Sequence, residues 1–228
     1  MRSMPLEKIG GQALIIGQLA LIVAFLVQFT AGGSSDEDKN ILEVITTDIS
    51  GIGIAGAIAM MLSGFGLTLS MVGFWALADR VRPNLSADGT LWAGLILAFA
   101  GSVGLMISGS GDMAVILGTE AGLAVEEVMI AQAIGMNAWV LSGPVLWLGI
   151  MFLLLAAGAT SEFGGKFTDV VTFIAGIVAV FYVLMPLVTL GNIDNINTIF
   201  PLWAGIVLGS LIFGIWGILA GRKLMSAA

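Results

Sequence analysis

Long, mostly uncharged apolar runs alternate along this chain with short clusters of charge, glycine and proline. The runs cover residues 11–30, 49–78, 90–108, 141–159, 169–190 and 200–220. A bilayer crossing takes about 20 apolar residues in helical form, because lipid leaves backbone polar groups no partner outside the helix. The pattern therefore predicts an all-α fold: a polytopic helical membrane protein with six transmembrane helices. The first run follows Arg2 and Lys8 but is too long for a signal-peptide core, and no A-x-A site follows it, so it is expected to be retained.

Two runs carry internal signals. The second is longer than a 30 Å hydrocarbon core requires at 1.5 Å per residue, and Gly51/Gly53 and Gly64/Gly66 mark places for a break. It is preceded by an acidic stretch (Asp36, Glu37, Asp38, Glu43, Asp48) that reads as a solvated loop, and Pro83 closes the turn after it. In the fourth run Pro144 falls in the expected first turn, where proline is tolerated.

Between the third and fourth runs, residues 113–139 are long enough for a helix but carry Glu126 and Glu127 side by side. Two carboxylates at mid-bilayer are expensive, and a seventh span would also invert the charge map below. The expectation is an extra extracytoplasmic interfacial helix between helices three and four. Thr119 would cap its start and Glu120 would sit in its first turn. A re-entrant hairpin and a true span are the competing forms.

Charge then orients the chain. With six spans, Arg2, Lys8, Arg80, Arg82, Lys166, Arg222 and Lys223 fall on one side and Lys39 alone on the other. By the positive-inside rule both termini are expected in the cytoplasm, with the protein in the cell membrane of a prokaryote. Ten of the fifteen acids fall on the outer side. Composition agrees with the pattern: 58% of the 228 residues are apolar and 10% charged, with a mean hydropathy of +1.08.

The candidate chemistry is sparse. His and Cys are absent, so histidine-ligated haem, thiolate iron–sulfur clusters and the common zinc sites have no ligands; no cofactor or metal is expected. Asp112, Glu120, Glu126 and Glu127 are candidates for a cation-attracting vestibule, against the plainer reading of a solvated acidic face. Gln18, Gly53, Gly56, Gly64, Gly205, Gly209, Gly217 and Gly221 are candidates for helix packing, the last four as two G-x-x-x-G pairs. Trp75, Trp92, Trp139 and Trp203 fall near run ends and read as interfacial anchors. Residues 91–98 (LWAGLILA) echo 202–209 (LWAGIVLG) in helices of opposite direction, as a 3+3 inverted repeat would.

No nucleophile, base or metal constellation supports an enzyme, and no basic patch supports nucleic-acid binding. The expected function is a non-catalytic integral membrane subunit or organiser of a larger complex. Its partners would be membrane lipids and other subunits or further copies of itself. A small transporter or channel for a cation or neutral solute is the alternative.

Overall fold

The computed structural model of the protein describes residues 6–31, 41–191 and 196–226. Seven α-helices account for nearly all of them: α1 Leu6–Ala31, α2 Ile41–Gly51, α3 Gly53–Val81, α4 Gly89–Glu120, α5 Val125–Gly158, α6 Lys166–Gly191 and α7 Ile196–Ser226. All but α2 are long and apolar enough to cross a membrane. Each long helix packs on its neighbour in sequence, and α7 returns to pack on α1, so the six close into a ring. The short α2 lies against α4 and α5.

The break in the second apolar run falls at its first glycine pair. Helix α2 ends at Gly51, and Gly53 opens α3 with φ at +61°, a conformation a side chain would strain. The second pair, Gly64/Gly66, stays helical inside α3. Residues 41–48, expected in a solvated loop, form most of α2: Val44 and Thr46 are buried, and the Thr46 hydroxyl donates back to Leu42 O at 2.6 Å.

Residues 113–139 form no separate interfacial helix. Helix α4 continues to Glu120, the chain reverses over 121–124, and α5 runs from Val125 to Gly158. Gly122 makes the reversal with φ at +91°. The Glu127 carboxylate accepts the Ala124 N–H at 2.8 Å and so caps α5. Thr119 caps nothing downstream; its hydroxyl turns back to the Val115 and Ile116 carbonyls at 2.9 and 3.0 Å. Pro144 consequently lies in the middle of α5, not in a first turn. At 32 and 34 residues, α4 and α5 are each about 50 Å long.

Glycine draws the helices together in register. A Cβ at Gly17 of α1 would lie 2.7 Å from Gly66 O of α3, and one at Gly66 would lie 2.8 Å from Gly17 O. Gly10 likewise faces Ala76 of α3, and one residue on, a Cβ at Gly11 would lie 2.5 Å from Gly221 O of α7. Thus α1 shows one small face to each neighbour. In α4, Gly94 and Gly101, and likewise Gly104, Gly111 and Gly118, recur at seven-residue steps. Of these, Gly94, Gly104 and Gly111 meet Gly149, Ser142 and Gly135 of α5, also seven apart, while Gly101 meets Leu146 and Gly118 meets Val128. A seven-residue period keeps one seam of a helix facing its partner.

Large side chains fill the ring where glycine does not. Phe213 of α7 is packed 5.9 Å from Phe74 of α3, 5.7 Å from Trp147 of α5 and 6.0 Å from Trp216. All four rings are buried. The Trp216 indole N–H donates to Thr168 Oγ1 at 3.1 Å, and that hydroxyl donates to Phe163 O at 2.6 Å. The one polar atom of a deep indole is thereby satisfied.

Candidate functional site

The two ends of the ring differ in charge. At one end lie the start of α1, the α3–α4 turn, the α5–α6 turn and the end of α7, carrying Lys8, Arg80, Arg82, Lys166, Arg222 and Lys223. At the other lie α2 and the α4–α5 turn, with Glu43, Asp48, Glu120, Glu126 and Glu127 and, among the described residues, no basic side chain. Arg2 and Lys39 lie outside the described residues.

The basic end is tied together. Arg80 Nε contacts Glu162 Oε2 at 3.0 Å, and Lys223 Nζ donates to Glu162 O at 2.8 Å, so the α5–α6 turn is held by α3 and α7 at once. Asp88 precedes α4 and accepts the Trp92 indole N–H at 3.0 Å and Arg82 Nε at 3.2 Å. The Arg82 guanidinium also lies over the Trp92 ring, 5.6 Å from its centroid. The Trp92 bond first, and the Arg82 charge after it, hold the Asp88 carboxyl below the usual carboxylate range. A lowered folded-state value means the contact is complete at neutral pH and is lost only as the pH falls through that value.

The four acids of the expected vestibule are not gathered into one. Glu126 is exposed at the start of α5, and Glu127 is occupied as the cap of that helix. The Glu120 carboxylate reaches the start of α3, where its Oε1 would lie 3.3 Å from a Cβ at Gly53. Negative charge is favoured at a helix N-terminus. Asp112 lies two turns further along α4 from that end, half-buried beside the α4–α5 seam. Among the described residues no three metal-ligating side chains come together.

Asp112 has one polar partner across the seam. Its Oδ1 accepts the Gln132 Nε2 amide proton at 3.1 Å, joining α4 to α5. Gln132 is only 3% exposed, and its Oε1 has no hydrogen-bond partner. The backbones are close here: a Cβ at Gly111 would lie 2.8 Å from Gly135 Cα. Gln132 carries no signal in the sequence by itself; only the twenty-residue return of the chain brings it to Asp112.

The packing candidates divide. Gln18 donates to Ser70 Oγ at 2.9 Å between α1 and α3, and a Cβ at Gly217 of α7 would lie 2.7 Å from Gln18 Cγ. Gly56 abuts Ile116, Gly209 abuts Val178, Gly205 abuts Phe181 and Gly221 abuts Gly11. Both G-x-x-x-G pairs therefore pack within the chain. Gly53 serves the helix break, and a Cβ at Gly64 would have nothing within 4 Å, so neither packs a helix. Gly10, Gly17 and the seven-residue rows of α4 and α5 were legible as spacing and carry more of the packing than Gly53 or Gly64.

The tryptophans divide too. Trp75 is exposed and meets Trp92 edge-on at 6.1 Å near the basic end. Trp203 is partly buried near the start of α7. Trp139 stands fourteen residues into α5, partly buried, with its ring 4.8 Å from that of buried Tyr182, so it packs against the core away from either helix end. The expectation that the fourth span begins near residue 141 puts Trp139 at a run end; in the structure α5 begins at Val125.

Between α5 and α6 the packing opens. A groove of about 700 Å³ is lined by Met151, Leu155 and Gly158 from α5 and by Phe173, Gly176 and Val180 from α6, with Asp169 and Thr172 also on its wall. The chain matches no family model, no curated protein and no solved structure.

Proposed function

We propose that this chain is a non-catalytic integral membrane subunit that organises a larger membrane assembly. The observation that carries the reading is how the interior is filled. Phe74, Trp147, Phe213 and Trp216 occupy the ring on its basic side, and Gln18 and Ser70 satisfy one another. A bundle so closed has its shaped surface on the outside. The α5–α6 groove is such a surface, and Phe173 and Val180 on its rim are 70% and 53% exposed. Since both G-x-x-x-G pairs are used internally, assembly would proceed through this outward face and not through those glycines.

By the positive-inside rule the basic end faces the cytoplasm, with both termini there. Single cysteines at positions 34 and 226 then label from opposite sides of the membrane. A photoreactive side chain at position 173, irradiated in native membranes, should join a second polypeptide. Lipid adducts alone would remove the organiser reading.

The alternative, a small transporter or channel for a cation or neutral solute, draws support from the Asp112–Gln132 pair between α4 and α5. Ionisable residues at membrane depth often mark an ion path. Flux of sodium, protons or a neutral solute into vesicles holding only this chain would favour that reading.

A further inference from the structure

Asp112 and Gln132 present an unbalanced set of atoms. The carboxylate is an acceptor at both oxygens, and its one described partner is the Gln132 Nε2 proton. The other end of the same amide, Oε1, is a buried acceptor with no donor. Such an oxygen gives up its hydration for nothing in return, and a half-buried carboxylate without a counter-charge gives up more.

Nothing described nearby supplies the counter-charge. Every described Lys and Arg lies at the opposite end of the ring. The helix packed on α4 and α5 at this end, α2, brings Glu43 and Asp48, and the α4–α5 turn brings Glu120, Glu126 and Glu127. These acids raise the local concentration of any cation and supply none. The seam holds one carboxylate, too little charge for a divalent ion, which takes several hard oxygen ligands.

We propose that Asp112 and Gln132 form a binding site for one small monovalent cation, a proton or Na⁺, within the α4–α5 seam. With a proton, the Asp112 carboxylic O–H donates to the Gln132 amide oxygen. With Na⁺, the carboxylate and that oxygen are both ligands. In each case the cation neutralises the carboxylate and gives the Gln132 amide oxygen a partner it otherwise lacks. The site goes beyond the organising role proposed above and does not depend on it, since binding is measured without any partner or flux.

The test uses the purified full chain and dicyclohexylcarbodiimide, an apolar reagent that modifies protonated carboxyl groups, with the adduct located by peptide mass spectrometry. The expected result is modification of Asp112 that falls about tenfold per pH unit on the alkaline side of its titration. Suppression by sodium chloride, set against choline chloride, assigns the ion as Na⁺; the same pH profile without a sodium effect assigns the proton. Melting of wild type and Asp112→Asn is followed in parallel, and the wild-type midpoint is expected to shift with pH or sodium where the variant's does not. The site is overturned if Asp112 takes no reagent at any pH and the two proteins melt with the same pH and sodium dependence. It is also overturned if modification appears only after Lys39→Met, because Lys39 would then be the resident cation. A Gln132→Leu chain with an unchanged modification profile removes Gln132 from the site and overturns the pairing.

Discussion

Helix α5 has two neighbours and treats them differently. Toward α4 it shows Gly135, Ser142 and Gly149 at seven-residue steps, and α4 answers with its own glycine rows in register. The backbones come close enough that a Cβ at Gly111 would lie 2.8 Å from Ala131 O. Toward α6, the Tyr182 ring fills the notch at Gly143. Nearer the basic end a Cβ at Gly176 would meet only Met151 Sδ, at 3.3 Å, and one at Gly158 only Thr168 and Asp169, and the groove opens beside them. Matching small rows thus bring the two backbones of a seam together, whereas an isolated glycine is filled by a large side chain, as Gly143 is by Tyr182, or borders a hollow, as Gly158 and Gly176 do.

The sharpest way to break this comparison is Gly101→Ala in α4. Its new Cβ would lie 2.5 Å from Leu146 Cα, and backbone cannot yield as a flexible side chain can. The expected loss is about 2–3 kcal/mol in detergent unfolding, at the upper end of ordinary overpacking. An unchanged midpoint would mean that α4 and α5 are not in contact there.

Ser70→Ala should cost less, about 1–2 kcal/mol, by leaving the buried Gln18 amide without its acceptor. Adding Gln18→Leu should recover part of that loss, and a double-mutant cycle reads the coupling. Strict additivity would show that the two side chains act separately.

Arg80→Ala removes a partly exposed ion pair with Glu162 and is expected to cost at most about 1 kcal/mol, and less in high salt. A larger, salt-independent cost would make the tie across α3, α5 and α7 structural in some further way. The smallest effect belongs to Gly64→Ala. Nothing lies within 4 Å of the new methyl, and alanine favours the helix, so stability should hold or rise by about 0.5 kcal/mol. The same substitution with opposite signs at Gly101 and Gly64 separates glycine that packs from glycine that does not.

Much of the fold was legible because lipid imposes a length on every crossing segment. The six apolar runs were read from that constraint, and glycine chemistry marked Gly51/Gly53 as one of two places for a break. The stretch between the third and fourth runs was not. Ser108, Ser110 and Asp112 look like the exit of a chain into water when judged one residue at a time. In the bundle the Ser110 hydroxyl donates to Met106 O at 2.9 Å and Asp112 is met by Gln132, so the helix runs on. The misplacement of Thr119, Pro144 and Trp139 follows from that one local judgement.

The sequence by itself determined the class of protein, the number of long apolar helices and the separation of basic from acidic residues between alternate turns. These depend on composition and length, which need no knowledge of neighbours. Tertiary structure alone decided which glycines touch, that α7 closes the ring on α1, and that Asp112 meets an amide twenty residues away. Those outcomes depend on register between helices, and register is a property of pairs of faces that no single segment contains.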